Sequence, residues 1–238
     1  MKKFLKLFGI SLGSLLSFFI IIFLIIALNG TCFKSYKNEK DYSAWMSKIN
    51  DDTLVNQIVI PGSHDAGTYN MVYLGETQQF DINKQLEMGV RYFDLRVNKI
   101  DDNYVIFHSI INGVEFLPIL ESLKEFIINH PTETLLLDFQ HFNGNSQNDV
   151  YNFITEYLFN NNLLVINNSN LSDLEFISNL KLKDARGKCI IFWGDRSSDF
   201  SNYLFLRNND DCSIDGVSLN SMYLSEYHSK DIDYLVPT

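Results

Sequence analysis

The apolar positions of the chain change their period twice. Residues 7–28 form 22 positions without a charge. As a helix they would span about 33 Å at 1.5 Å per residue, enough to cross a hydrocarbon layer of about 30 Å. The stretch is longer than the apolar region of most cleaved secretory leaders, about 7–15 residues, and no small-x-small cleavage site follows it. It reads as a signal-anchor, with a cleaved signal peptide as the alternative and a buried core helix as the least consistent assignment. Lys2, Lys3 and Lys6 precede it, and Lys34, Lys37 and Lys40 follow. The short basic tail predicts a cytoplasmic N-terminus, and hence an extracytoplasmic or lumenal body. Cleavage would make the body a secreted one.

Beyond a polar stretch at 29–50, read as a linker, short apolar runs alternate with segments of helical period. Strands are predicted at 57–60, ended by Pro61-Gly62, and at 90–97, 104–108, 134–139 and 188–193. Helices are predicted at 79–88 with Gly89 as cap, at 117–129 before Pro131, at 149–159, and after the capping box Ser172-Asp-Leu-Glu175. Beyond Asp195 the pattern weakens, with 216–219 as a further strand. Strands alternating with helices imply a parallel sheet. The runs Leu135-Leu136-Leu137 and Cys189-Ile190-Ile191-Phe192 suit strands buried on both faces. No Gly-x-Gly-x-x-Gly or P-loop pattern marks a nucleotide site. Polar residues instead recur where strands end, at His64, Arg96, His108 and Gln140-His141, which favours a (β/α) barrel whose strand ends share one mouth.

Charge narrows the partners. The chain carries a formal −10, yet residues 1–28 contain three lysines and no acid, so the remainder carries −13. An acidic body is a poor nucleic-acid ligand and does not adsorb to anionic lipid by charge alone. An N-terminal anchor would keep it at a membrane without basic patches. Cys32, Cys189 and Cys212 are too few, and odd in number, for a disulfide framework, and Cys189 reads as a core residue.

Two histidines and an arginine at three strand ends are the informative chemistry. A His pair can supply base and acid on opposite sides of a phosphodiester near neutral pH. A guanidinium can hold the non-bridging oxygens. Asp65, next to His64, could orient one imidazole. His130, before Pro131, reads as a helix-end residue, and His228 and Tyr203 carry no assignment.

The same residues carry a resemblance. Ile60-Pro-Gly-Ser-His-Asp-Ala-Gly-Thr68, then Gln85-Leu-Glu-Met-Gly-Val-Arg-Tyr-Phe-Asp-Leu-Arg96, then Phe107-His108 resemble the X region of phosphatidylinositol-specific phospholipases C. Leu136-Leu-Asp-Phe-Gln-His-Phe142 is similar to the X-domain-only subgroup, and Asp184-Ala-Arg-Gly-Lys188 recurs in bacterial members. The resemblance covers about residues 54–194 of a body at 51–238. It implies a TIM-type barrel and a monomeric enzyme acting on a phospholipid at a membrane surface. By it, His64 is the general base on the inositol 2-hydroxyl and His108 the general acid on the departing glycerol oxygen. Asp65 pairs with His108, Arg96 contacts the phosphate, and Asp94, Gln140, His141 and Arg196 line the substrate site. Calcium-dependent relatives carry an acid where Arg96 stands. A fixed cation there replaces the metal's charge, so neither metal nor other cofactor is expected.

Three departures temper this. The fifth strand ends Phe192-Trp193-Gly194-Asp195, without the basic residue of bacterial members. Gln140-His141 replaces a lysine after the fourth strand. From Lys40 onward 199 residues remain, against about 250 for such a barrel, so the second half is expected to be reduced or the chain truncated. The acid that orients the general base comes from a late strand in the family, and Asp231 or Asp233 are the nearest candidates. Two rival readings follow: an inositol-phosphate-binding pseudoenzyme, and a phosphodiesterase for another glycerophospholipid.

Overall fold

A computed structural model describes residues 13–25, 40–139, 141–142, 147–193 and 204–206. Helix α1 covers 13–25. The chain then runs through 3-10 turns at Trp45–Lys48 and Val55–Gln57, β1 (Gly62–Ser63), α2 (Ile82–Glu87), β2 (Tyr92–Leu95), β3 (Val97–Ile100), β4 (Asn103–His108) and β5 (Ile111–Glu115). It continues with α3 (Leu117–Asn129), β6 (Thr134–Phe139), α4 (Gln147–Asn160), α5 (Asp173–Asn179), α6 (Leu182–Ala185), β7 (Lys188–Trp193) and β8 (Leu204–Leu206). Strands β1, β2, β6, β7 and β8 pair in that order, all parallel. That is the succession of a (β/α) barrel wall, with five strands of it described.

Alternation along the strands explains why their sequences are apolar throughout. Phe93, Leu95, Leu135, Leu137, Phe139, Cys189, Ile191 and Trp193 face one buried cluster, with Leu86 of α2, Leu120 and Leu123 of α3, and Val150 and Ile154 of α4. Tyr92, Leu136, Ile190 and Phe192 face the other, with Ile58, Ile60 and Leu182. Strands β2, β6 and β7 are each covered on both sides, as parallel sheets require. Cys189 is fully buried, and its thiol is pushed up to about 12 by that burial. Two helix signals hold: Gly89 follows α2 at φ 95°, and Ser172 and Glu175 form the capping box of α5, while Asp81 caps the start of α2 by accepting from the Lys84 amide. His130 caps α3 and stacks on Phe126.

Four predictions need correction. The strand expected at 57–60 is a 3-10 turn followed by unpaired extended chain. Pairing starts only at the Pro61 carbonyl, which accepts from the Arg91 and Tyr92 amides, because Pro61 has no N–H to offer. The strand at 90–97 divides at Arg96: β2 stays in the parallel sheet and β3 leaves it. The strand at 104–108 is therefore no barrel strand but the centre of an antiparallel β3-β4-β5 sheet, entered through an Asp101-Asp102 turn with Asp101 at φ 52°. The supposed linker at 29–50 is part of the body from Tyr42 onward, where Met46 is fully buried. β8 was not foreseen, and 216–219 lies outside the described residues. So do both ends of the apolar span 7–28; among the described residues no helix is long and apolar enough to cross a membrane.

The N-terminal ends of the strands are closed by charge. Arg91, just before β2, and Glu133, just before β6, are both fully buried and meet at 2.9 Å. The other Arg91 donors reach the carbonyls of Leu86, Val90, Tyr42 and Ser43. Glu133 accepts from the Met46 amide and the Thr132 hydroxyl. Arg186 donates to the carbonyls of Met46, Ile49 and Thr132 and pairs with Asp51. Residues 42–51 are thereby stitched beneath the sheet. Glu133→Gln, which leaves Arg91 buried without a counter-charge, is expected to cost about 3–5 kcal/mol in urea denaturation. Arg91→Lys should not spare that loss, since an ammonium cannot fill the guanidinium's fork. A loss under about 1 kcal/mol for Glu133→Gln would remove the pair's structural role.

Candidate active site

β1 ends at Ser63 and the chain reverses at once through His64-Asp65-Ala66-Gly67. Asp65 sits at φ 49°, a region that Asp tolerates better than most residues. Its amide donates to Asp94 Oδ2 at 3.2 Å, and the Ala66 amide donates to the Asp94 carbonyl at 2.8 Å. The Thr68 amide and hydroxyl both donate to the Asp65 carbonyl. Gln78 holds the His64 carbonyl at 2.6 Å and Gln85 the Ala66 carbonyl at 2.9 Å. Gly67 lies so close to β4 that a Cβ there would stand 2.5 Å from Ile106 Cδ1. The turn after β1 is thus seated against the strand that ends in His108.

Five side chains expected from sequence meet here: His64, Asp65, Asp94, Arg96 and His108. His64 Nδ1 lies 2.8 Å from Asp94 Oδ2. His64 Nε2 and His108 Nε2 lie 3.3 Å and 3.6 Å from the same Asp65 Oδ2. Arg96 Nε approaches Asp65 Oδ1 at 2.5 Å, and Arg96 Nη2 stands 3.5 Å from both Asp94 Oδ2 and His64 Nε2. The carboxylates form the floor, at 2% exposure for Asp65 and 1% for Asp94, while the His64 side chain is 53% and His108 28% exposed. Among the described residues, His108 Nδ1 has no hydrogen-bond partner.

The electrostatics follow from this layering. The hydrogen bond that His64 donates to Asp94 raises the affinity of the imidazole for a proton above that of a free one, opposed by partial burial and by Arg96 and helped by Asp65. Burial pushes the Asp65 carboxyl up, against the pull of Arg96 and the two imidazoles. His64, Asp65 and Asp94 each place a ligand atom within 4.8 Å of the others, close enough for a cation. The Arg96 guanidinium already lies against both carboxylates. A solvent-accessible imidazole pair above a buried acid pair and a fixed cation can exchange protons with a bound phosphodiester while holding its charge.

His141 follows β6, exposed, with φ 57°. Gln140, Arg196, Asp231 and Asp233 lie outside the described residues. The geometry adds Asp138, which sequence reading passed over. It is fully buried on β6, in register with Asp94, and accepts from the Tyr92 hydroxyl at 2.6 Å. The alternation that turns Leu136 inward was the available signal, since it turns Asp138 the same way.

Residues 34–194, more than half of the chain, match the family described as phosphatidylinositol-specific phospholipase C, X domain. A 1-phosphatidylinositol phosphodiesterase of Listeria monocytogenes is 30% identical over 160 residues, covering 61% of this chain and 49% of that protein. PI-PLC X domain-containing protein 3 of Danio rerio is 29% identical over 147 residues, covering 45% and 44%. Among solved structures, the phosphatidylinositol-specific phospholipase C from Listeria monocytogenes superposes with a TM-score of 0.55 at 25% identity, over 66% of this chain and 58% of that one. That likeness agrees with the TIM-barrel type of fold. The chain spans about half the length of the curated relatives it matches. The match over residues 34–194, containing the whole His64–Asp65–Asp94–Arg96–His108 cluster, shows that the chain belongs to the phosphatidylinositol-specific phospholipase C X-domain family.

Proposed function

We propose that this protein is a phosphodiesterase of the phospholipase C type, acting on phosphatidylinositol-like lipids. The observation that carries the reading is the single Asp65 carboxylate oxygen shared by two imidazole Nε2 atoms, with the Arg96 guanidinium beside it. In this reaction His64 Nε2 removes the proton of the inositol 2-hydroxyl. The freed oxygen attacks phosphorus and the bond to the glycerol oxygen breaks. His108 Nε2 delivers a proton to that oxygen, so that diacylglycerol and a cyclic inositol phosphate leave. Asp65 holds the protonated imidazole, and Arg96 holds the non-bridging oxygens as negative charge accumulates. The permanent charge of Arg96 against Asp65 and Asp94 supports a reaction that needs no metal ion.

The substrate then enters above the exposed faces of His64 and His108. Gln140, His141 and Arg196 are the proposed headgroup contacts. Residues 7–28, uncharged and followed by an acidic body, are the proposed anchor of a single-pass monomer whose catalytic body is extracytoplasmic or lumenal. A second reading keeps the chemistry and changes the headgroup. It is favoured by the apolar β7 end Phe192-Trp193, where bacterial relatives of the resemblance carry a basic residue.

Phosphatidylinositol in mixed micelles should be turned over in the presence of EDTA, with His64→Ala and His108→Ala each slower by about 10²–10⁴-fold. Equal rates for the wild type and both variants would falsify the assignment. A substrate panel in which only another glycerophospholipid reacts would select the second reading. Because the folded site raises the proton affinity of His64, kcat/KM should climb with pH through a midpoint above the ordinary imidazole value of about 6.5, where the base becomes neutral. The same linkage has a definite sign for folding. The His64 contribution to stability is complete below about 6.5 and is lost as pH rises through the higher folded-state midpoint. Thermal melts across that window check it. In membrane fractionation, the full chain should sediment with vesicles in high salt and a chain starting at residue 40 should not. Equal sedimentation would remove the anchor.

A further inference from the structure

We propose that Asp94 is the residue that orients the general base, so that base and orienting acid both come from the β1–β2 region of this chain. The inference rests on the reading of His64 as the base. Its evidence is positional. Asp94 Oδ2 meets His64 Nδ1 at 2.8 Å, the shortest contact that imidazole makes in the cluster. The other carboxylate, Asp65, faces Nε2. Asp94 is 1% exposed and belongs to a strand paired on both sides, with β1 and with β6, so its position is set by the sheet.

The consequence is chemical. A neutral imidazole carries one proton and one lone pair. A carboxylate fixed at Nδ1 holds the proton there and leaves the lone pair on Nε2. Nε2 is the nitrogen that faces Arg96 and Asp65, where the hydroxyl neighbouring the phosphodiester would arrive. When Nε2 accepts the substrate proton, the imidazolium forms with its second N–H already on a buried anion. Asp94 Oδ2 also accepts from the Asp65 amide, so one oxygen fixes both the ring and the turn that presents it. Asp94 is thus a positioning residue, acting through His64.

The test is ¹⁵N NMR of the imidazoles, read together with turnover. In the wild-type protein, neutral His64 should be the Nδ1–H tautomer; a predominant Nε2–H form overturns the proposal without any variant. Asp94→Asn keeps the size and removes the charge. It should shift His64 toward a mixture of tautomers, lower its titration midpoint, and reduce kcat on the order of 10²–10⁴-fold with KM changed less than about twofold. A variant that keeps the wild-type tautomer and midpoint overturns the assignment, whatever its rate. If the wild type shows the Nδ1–H tautomer, loses it in Asp94→Asn, and cleaves no phosphodiester, the positioning role stands and the proposed reaction falls.

Discussion

The buried pair of Arg91 and Glu133 is the constraint to which the upper end of the sheet is referred. Two charges with no solvent exposure cost several kcal/mol each in desolvation, and they persist only where their hydrogen-bonding capacity is met. Here the guanidinium reaches Glu133 and four carbonyls. Because Arg91 precedes β2 and Glu133 precedes β6, the pair locks the two strands in one register. The Leu136 amide confirms it by donating to the Arg91 carbonyl at 2.7 Å. A one-residue slip would part the charges and turn every side chain of the strand to the opposite face. Asp94 stands three residues further along β2, so its place at the mouth follows from a contact at the base.

The two ends of β2 treat arginine in opposite ways. Arg91 is enclosed and saturated. Arg96, one residue past the strand, is 15% exposed and makes ion pairs without hydrogen-bond alignment at Nε. His108 Nδ1 likewise lacks a partner among the described residues. Residual polar capacity at the C-terminal ends of the strands, against complete pairing at the N-terminal ends, is the division of labour that this architecture uses between chemistry and stability.

Much of this was legible in the residues. Alternation and helix caps located β2, β6, β7, α3 and the α5 capping box, and the turn motif around His64-Asp65 located the site. What failed did so for identifiable reasons. His108 was assigned to a barrel strand because periodicity reports that a segment is extended, not which sheet it joins; the Asp101-Asp102 turn was the overlooked hint. Arg91 and Glu133 attract no notice in sequence, since nothing local shows that they face each other 42 positions apart. Asp94 was read as a supporting substrate contact, because its distance from His64 depends on the pairing of β1 with β2, which is a tertiary fact.

The shared carboxylate also limits how many protons the site can hold. With Asp65 and Asp94 ionised and Arg96 charged, two neutral imidazoles leave the cluster at −1, one protonated imidazole leaves it neutral, and two leave it at +1. A second imidazolium would have to share Asp65 Oδ2 with the first, at 3.3 Å and 3.6 Å, and like charges at such spacing repel. No imidazolium at all would set a site of net charge −1 against an incoming phosphodiester anion. One proton between two imidazoles is therefore the state that the geometry favours, and it is also the state that base–acid catalysis requires. Asp94 breaks the symmetry of that pair, because it binds one imidazole at Nδ1 and leaves the other without such a partner among the described residues. In the proposed reaction the protonated state passes from His108, which gives its proton to the leaving group, to His64, which takes another from the hydroxyl. The imidazole backed by Asp94 is the one that can receive it with its far side already anchored.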